Sequence, residues 1–155
     1  MSSKPLSKKM LYFIGIFFAT AIFLFFWQRF HWSSMSISLK DQELHVLVAK
    51  NIYQQYKGLG GRKQLAPYDG MIFPFYLLDK HTFVMRDMEF PIDIVWLKDG
   101  VVVDIAPNVP IEPDASEQEL ARYYPRTEAN LVLELQAGWT QKNGLKIGDV
   151  MTLPK

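Results

Sequence analysis

The sequence predicts an α+β fold: a β-rich curved sheet or small barrel-like domain with two or three short helices, preceded by one transmembrane helix. Three observations predict this fold. A charge-free apolar stretch stands near the N-terminus, several short segments with strand-like alternation follow it, and only brief stretches have helical periodicity. The 155 residues leave room for one domain after the apolar stretch and none for a second.

The first element is the apolar segment 10–28. Its first 18 residues, Met10 to Trp27, include seven Phe or Trp, and this length is enough to span a bilayer as a helix. A cleaved signal peptide is the alternative, because Ala19 to Ala21 fits the small-x-small cleavage pattern. Cleavage there would leave the apolar sequence IFLFFW as an exposed terminus. We therefore expect an uncleaved single-pass anchor.

The distribution of charge about this segment predicts its orientation. Three lysines precede it and Arg29 follows it, so the positive-inside bias places residues 1–9 in the cytoplasm and the rest of the chain outside. We expect residues 29–41 to be a linker, with a polar connector over 33–40, and residues 42–155 to be an extracytoplasmic β-rich domain. The expected partners are the membrane and either an envelope protein or a small ligand.

The charge balance of the exported part bears on nucleic-acid binding. Four of the 17 Lys and Arg precede residue 40, so the remaining 13 stand against all 16 Asp and Glu. The exported part is therefore mildly acidic, and it lacks the basic footprint that nucleic-acid binding requires. We expect no nucleic-acid partner.

Alternating apolar residues bounded by turn residues predict the strands. The predicted strands are 43–49, 70–75, 81–85, 92–97, 101–105, 131–135 and 149–153. Asp99 and Gly100 form the strongest short-range hairpin signal in the chain. The strands on either side of that pair are therefore expected to be antiparallel neighbours.

Helical periodicity predicts three short helices. The predicted segments are 51–59, 117–124 and 137–145. Ser116 and Glu119 have the spacing of a capping box at the start of the second. The proline-rich run 106–114 predicts an extended loop over the sheet.

Several chemistries are excluded by residue type. The chain has no cysteine, which removes disulfides, thiolate metal ligands and a cysteine nucleophile. Beyond Ser38 the only serine is Ser116, which the capping box already uses. His45 and His81 are the only histidines of the predicted domain 42–155 and have no metal-binding spacing. We expect no metal site and no cofactor.

The glycine-rich stretch after the first short helix is a candidate anion site. Gly58, Gly60 and Gly61 allow the backbone to turn several N–H groups toward one point, and the cationic Arg62 and Lys63 follow them. A tight helix-to-loop turn with a salt-bridging arginine explains the same residues. Both readings remain open from the sequence.

Asp93 raises the main functional question. In the predicted strand 92–97 it shares a face with Val95 and Leu97, and a lone carboxylate on an apolar face is costly unless something pairs with it. One interpretation is a buried tether to Arg62 or Arg86. The other is a site residue.

The site interpretation places Asp93 in a pocket as a base or ligand contact. The expected pocket wall is Phe83, Met85, Met88 and Trp96. Asp104 and Glu134 are further carboxylates on apolar strands, so a pair of carboxylates for acid and base catalysis is also conceivable.

The motifs GLGGRKQL, GMIFPF, FVMRDMEFPIDIVWL, VVVDIAP and LVLELQAGWTQKNGLKIGD stand in the order typical of one family. On these motifs, over about residues 44–153, the chain resembles the uncharacterised secreted or membrane proteins catalogued as domain of unknown function one-nine-two. The positions that carry the pattern are Gly58, Leu59, Arg62, Gly70, Met71, Phe73, Phe83, Met85, Pro91, Asp93, Leu133, Glu134, Gly138, Gly144, Gly148 and Asp149. The resemblance implies a compact β-rich α+β fold with a signal or anchor, and it brings no established activity. Val84 and the pair Asp87 and Met88 depart from residues common in the family.

Together these observations predict a membrane-anchored extracytoplasmic binding or accessory module. The alternative is a small hydrolase or lyase that uses Asp93 together with Arg62 as an anion clamp. The absence of a serine, cysteine or histidine cluster favours the binding module.

Overall fold

The computed structural model describes residues 7–153, and for residues 28–30 it describes the backbone alone. Residues 1–6 of the predicted cytoplasmic segment lie outside the described residues. In chain order the elements are α1 (Lys8–Phe30), β1 (Ser33–Leu39), β2 (Gln42–Val48), α2 (Ile52–Lys57), β3 (Gly70–Asp79), β4 (Ile92–Lys98), β5 (Val101–Val109), β6 (Ala129–Gln136) and α3 (Trp139–Lys142). They belong to two units, one that ends at His31 and one that begins at Trp32.

The first unit consists of the predicted apolar helix. α1 begins after Ser7, whose hydroxyl accepts a 3.3 Å hydrogen bond from the N–H of Met10. The side chains described between residues 7 and 27 are all exposed. The 20 residues Lys8–Trp27 are long and apolar enough to cross a membrane. The length and composition of α1 are compatible with a membrane anchor or a signal sequence.

The second unit is built on one open, curved sheet of six strands in the order β1-β2-β3-β6-β4-β5. β2 and β3 are parallel, with α2 in the connection between them, and the other neighbours are antiparallel. The C-terminal segment contacts both edge strands, since Thr152 bridges Ser38 and Val150 bridges Val101. The predicted α+β class with a curved sheet is confirmed.

The hairpin between β4 and β5 forms as its turn residues predict. Asp99 and Gly100 have φ values of 51° and 83°, which a two-residue hairpin turn requires at both central positions. Asn130 holds this turn to β6, because its side chain accepts a bond from the Asp99 N–H (2.9 Å) and donates one to the Asp99 carboxylate (2.8 Å). The central strand β4 is thus fixed between β5 and β6.

The sheet buries apolar residues on both faces. One face, called the first face below, packs Leu47, Met71, Phe73, Met85, Ile92, Ile94, Trp96 and Val132. The opposite, second face packs Ile37, Leu39, Val46, Ile72, Val95, Leu97, Leu133 and Leu135. Successive residues of β4 and β6 alternate between these two groups, as strand geometry requires.

Three sequence predictions about strands are wrong. The predicted strand 149–153 forms only the isolated bridges of Val150 and Thr152. The expected connector over 33–40 is β1, because Ile37 and Leu39 alternate with polar residues and are fully buried on the second face. The predicted strand 81–85 is not a strand, because only Phe83 pairs with another segment, through mutual backbone bonds with Tyr123 (2.7 and 2.9 Å).

Two further predictions need correction in extent. β5 continues to Val109 and so includes the start of the proline-rich run that was expected to be a loop. The expected helix 117–124 is reduced to a turn. The capping box itself is present, since the carboxylate of Glu119 accepts bonds from the N–H (3.0 Å) and the hydroxyl (2.6 Å) of Ser116.

Candidate functional site

A cavity of about 280 Å³ opens on the first face of the sheet. One side is formed by the end of α2 and the glycine loop that follows it, and the other by residues 82–88. The lining residues are Gln55, Tyr56, Lys57, Gly58, Leu59, Gly60, Phe73, Phe75, Thr82, Phe83, Val84, Arg86, Met88, Glu117, Arg122 and Glu134. The cavity is called the Glu134 pocket below.

Glu134 is placed in this pocket by the alternation of β6. Its cross-strand neighbours are Met71 on β3 and Ile94 on β4, so the carboxyl group is surrounded by the apolar first face. β3 approaches β6 closely at Gly70, where an added Cβ would come within 2.3 Å of the carbonyl oxygen of Glu134. Glycine at that position therefore helps to fix the backbone that carries the carboxyl group.

The carboxyl group of Glu134 lacks the partners that a buried carboxylate needs. The residue is only 5% exposed, and its Oε2 atom has no hydrogen-bond partner among the described residues. Burial raises the pKa of Glu134 to about 8, because water no longer stabilises the charged form. The group is therefore mostly protonated at neutral pH and can donate a hydrogen bond to a molecule in the pocket.

Aromatic rings form the apolar wall of the pocket. Phe83 contacts Phe73 edge to face at 5.0 Å between ring centroids, and it contacts Phe75 and Trp96 in the same way at 6.4 Å. Trp96 lies below the wall and donates an indole N–H bond to the carbonyl oxygen of His81 (3.0 Å). These contacts hold the rings in fixed orientations.

Charged groups stand at the rim. Arg86 donates hydrogen bonds to both carboxylate oxygens of Glu117 and one to the carbonyl oxygen of Tyr56 (3.0 Å), and its guanidinium lies 3.9 Å from the centroid of the Tyr56 ring. The bonds from Arg86 lower the pKa of Glu117. Lys57 and Arg122 also line the pocket and have no ion pair among the described residues. With Glu134 protonated, the lining carries an excess of positive charge.

The predicted glycine site is only partly brought to this pocket. Gly58 and Gly60 line it, whereas Gly61 and Arg62 do not. The N–H groups of these four residues donate to carbonyl oxygens of Gln54, Lys57, Asp87 and Leu59, respectively, at 2.7–3.1 Å. The loop is therefore a tight turn packed against residues 86–87 and not a nest of free N–H groups.

The predicted pocket wall is also divided. Phe83 and Met88 line the pocket, while Met85 and Trp96 are each 1% exposed and belong to the core beneath it. The sequence did not indicate the rim residues Lys57, Glu117 and Arg122, which come from separate segments of the chain.

Asp93 lies on the second face of the sheet, away from the Glu134 pocket. Its Oδ1 accepts hydrogen bonds from the N–H groups of Asn108 (2.8 Å) and Gly138 (3.0 Å), and its Oδ2 accepts bonds from the N–H (2.8 Å) and hydroxyl (2.7 Å) of Thr140. The residue is fully buried. These four bonds satisfy the carboxylate and join β4 to β5 and to the start of α3.

The expected pairing of Asp93 with Arg62 or Arg86 is therefore wrong. Arg86 is bonded to Glu117, and the guanidinium of Arg62 lies 5.6 Å from the centroid of the Trp32 ring. Asp93 is a buried tether, as one interpretation of the sequence held, but its partners are backbone amides and one threonine.

Asp104 has a structural partner of its own. It lies two strands from Glu134, and its carboxylate accepts bonds from the side chain and the backbone N–H of Arg126. Burial raises the pKa of Asp104, but the bonds from Arg126 and from the N–H of Ile105 outweigh burial and lower it. Asp104 and Glu134 do not form an acid and base pair.

A metal centre has no basis in the described part of the chain. Within residues 7–153, no three His, Asp or Glu side chains are grouped so that they could hold a metal ion.

The fold of this small α+β domain is similar to folds already seen in crystal structures. A protein from Sinorhizobium meliloti 1021, described as a candidate transcription regulator, matches with a TM-score of 0.68 and 28% sequence identity over 77% of this chain and 93% of that one. A protein of unknown function from Novosphingobium aromaticivorans DSM 12444 matches with a TM-score of 0.64 and 26% identity over 77% and 84% of the two chains.

The family model DUF192, described as Uncharacterized ACR, matches residues 35–153. The chain therefore belongs to the DUF192 family, as its motifs indicated. No curated protein matches the chain.

Proposed function

We propose that this protein is a membrane-anchored extracytoplasmic module that binds a small organic anion in the Glu134 pocket. The single observation that carries the proposal is Glu134, a residue that lines an open cavity and whose buried Oε2 atom has no hydrogen-bond partner among residues 7–153. A buried polar atom without a partner is costly, and a ligand that accepts its hydrogen bond would offset that cost.

The anchoring part of the proposal rests on α1. The stretch Lys8–Trp27 has the length that a bilayer requires, and three lysines precede Met10 whereas one arginine, Arg29, follows Gln28. The peptide IFLFFW, which cleavage after Ala21 would leave exposed, favours retention of the helix over removal as a signal sequence.

The chemistry of the lining favours an anion with an apolar body. The body would pack against Phe73 and Phe83, and the anionic group would be attracted by Lys57 and Arg122 at the rim. The neutral carboxyl group of Glu134 would donate a hydrogen bond to an acceptor oxygen on the ligand. An amine would meet the two rim cations and is disfavoured.

The size of the cavity limits the ligand to a small molecule. A volume of about 280 Å³ is at the lower end of the range for ligand pockets. The description of one similar crystal structure as a candidate transcription regulator does not lead us to propose DNA binding. The exported part of this chain has more acidic than basic residues, whereas DNA binding requires an excess of basic ones.

The alternative of a hydrolase or lyase that uses Asp93 with Arg62 has no support in the geometry. Both oxygens of Asp93 are engaged in hydrogen bonds on the second face, and Arg62 contacts Trp32. We therefore propose binding and not catalysis.

Methionine methyl groups provide the test of binding. The full chain, with its methionines labelled with ¹³C at the methyl group, would be reconstituted in nanodiscs and titrated in turn with benzoate, benzamide and benzylamine. Met88 lines the pocket, whereas Met35 packs on the second face and serves as an internal control. We expect benzoate to shift the Met88 signal most and benzylamine least, with Met35 unchanged.

The same titration on Glu134→Leu separates the pocket from non-specific partition of the probes. The substitution removes the hydrogen-bond donor and puts an apolar side chain of similar volume in its place. The Met88 shift with benzoate should therefore be lost. A Met88 signal that none of the three probes moves, or that benzylamine moves most, contradicts the proposal.

A further inference from the structure

Three consecutive apolar side chains protrude from the domain near the end of β3. Tyr76, Leu77 and Leu78 are 106%, 76% and 43% exposed. A contiguous apolar patch of this kind on a folded domain marks a surface that contacts something other than water. These three residues are called the β3 tip below.

The β3 tip protrudes because β3 is longer than its partner at this point. Pro74 pairs with Leu131 and Asp79 pairs with Ala129, so four residues of β3 stand opposite Asn130 alone. The extra residues form a bulge that directs the chain outward.

Contacts at the base of the bulge keep it in place. The ring of His81 stacks on Phe75 at 3.7 Å between centroids, and its Nε2 atom lies 3.0 Å from the carbonyl oxygen of Leu77. His81 therefore holds the β3 tip through the backbone of Leu77 and the ring of Phe75.

The strand register places the β3 tip at a particular end of the sheet. Ser33, the first residue of β1, pairs with Val48, and Val48 pairs with Ile72. β1 runs opposite to β2 and β3, so the chain that precedes Ser33 leaves the sheet in the direction in which β3 continues beyond Ile72. Four residues of extended strand, about 13 Å, carry β3 from Ile72 to Tyr76.

The chain that precedes Ser33 leads directly to the apolar helix. Only His31 and Trp32 separate Ser33 from Phe30, the last residue of α1. The three Cα steps from Phe30 to Ser33 span about 10 Å of chain at most.

We infer that the β3 tip enters the interfacial region of the bilayer that α1 spans and forms a second membrane contact of the domain. Tyrosine and leucine are side chains suited to the boundary between headgroups and acyl chains. Lys50 and Lys80, exposed residues just beyond the ends of β2 and β3, would face anionic headgroups. The inference rests on the proposed anchoring of the chain.

The natural absence of cysteine makes this contact directly measurable. Leu77→Cys in the full chain would carry the only thiol and can be labelled with an environment-sensitive fluorophore. Ile147→Cys is the matched control, because Ile147 is an exposed apolar residue (56%) in the loop after α3. Both proteins would be reconstituted in vesicles of phosphatidylcholine and phosphatidylglycerol.

Two quenchers report the position of each label. Phosphatidylcholine brominated near the top of the acyl chains should quench the label at position 77, and aqueous iodide should not, because the tip would lie about 5–10 Å into the boundary. At position 147 iodide should quench and brominated lipid should not. Tyr76→Cys and Leu78→Cys repeat the test if the first variant fails to fold.

Each other outcome overturns the inference. Quenching by iodide at position 77 would place the tip in water, and protection from both quenchers would indicate contact with a second protein copy. Quenching by brominated lipid at both positions would show that contact with lipid is not specific to the β3 tip. Flotation of the vesicles tests the anchor separately. A chain that does not float contradicts the proposed anchoring, whereas a floating chain with a water-exposed tip contradicts only this inference.

Discussion

Asp93 and Glu134 lie on the neighbouring strands β4 and β6 but point to opposite faces of the sheet. Ile94 is the residue of β4 that pairs with Glu134, and Asp93 pairs with Leu135. The two carboxyl groups are therefore one residue out of register, which in a strand reverses the direction of the side chain. One carboxyl group accepts four hydrogen bonds, and one oxygen of the other has no partner among the described residues.

The free energy of unfolding should depend on pH through Glu134. Its pKa is raised from 4.5 to about 8 in the folded protein, so the folded state binds more protons than the unfolded state between these pH values. The stabilisation due to the neutral group is complete below pH 4.5 and is lost as pH rises toward 8. The expected loss is about 4–5 kcal/mol.

Glu134→Gln should remove this dependence, because glutamine does not titrate. Chemical unfolding of the full chain in detergent micelles, followed by near-ultraviolet circular dichroism across this pH range, measures the difference. Glu128→Gln, at an exposed position, is the control and should retain the slope of the wild type. Equal slopes for the wild type and Glu134→Gln would show that Glu134 is not buried as described.

Asp93→Asn should destabilise the domain by about 2–4 kcal/mol. The amide nitrogen of asparagine would replace one oxygen and face a donor, either the N–H groups of Asn108 and Gly138 or the two donors of Thr140. Thermal unfolding of the full chain in detergent measures the effect.

Thr140→Val gives a graded comparison for the same contact. It removes only the hydroxyl bond to Asp93 and should cost about 1 kcal/mol. If Asp93→Asn unfolds at the same temperature as the wild type, the four hydrogen bonds to Asp93 do not stabilise the domain.

Arg122→Gln should weaken binding of benzoate by about fivefold, which corresponds to about 1 kcal/mol for an exposed charge. Arg122 lines the pocket, and it makes no ion pair with another described residue. Arg126→Gln is the matched control, because Arg126 pairs with Asp104 outside the pocket. The Met88 methyl titration gives both affinities. A larger loss for Arg126→Gln than for Arg122→Gln would place the anion elsewhere.

The orientation of the chain is open to a test with reporter fusions. Alkaline phosphatase fused to the C-terminus should be active, and a reporter that works only in the cytoplasm should be inactive at the same position. The reason is that three lysines precede the apolar segment 10–28 and one arginine follows it. The opposite pair of activities would reverse the orientation. Recovery of the protein in a soluble, shortened form would show that α1 is a cleaved signal.

Strand alternation made much of the fold predictable. The period of two around Asp93 places it on the face opposite Trp96, so the sequence already argues against a pocket that contains both. The same period in residues 35–39 indicates β1, but the serines between the apolar positions resemble those of a linker. The polar composition of this segment predicted a connector. The burial of Ile37 and Leu39 shows why it is a strand instead.

The partners of the buried carboxyl groups could not be predicted in this way. Asp93 is bonded to Thr140, which is 47 residues away in the chain, and no local pattern reports that contact. Glu134 stood out as a carboxylate on an apolar strand, but its lack of a partner depends on which segments cover the first face. The rim of the pocket likewise depends on tertiary packing, because Lys57 and Arg122 come from distant segments.

The most direct test of the anion pocket is the pKa of Glu134 with and without benzoate. Carbon-13 NMR of the side-chain carboxyl groups, assigned with Glu134→Gln, follows the titration of the full chain in nanodiscs. We predict a midpoint near pH 8 without ligand, and a higher midpoint with saturating benzoate, because a nearby anion disfavours the charged carboxylate. A midpoint that benzoate leaves unchanged or lowers would contradict binding of an organic anion beside Glu134.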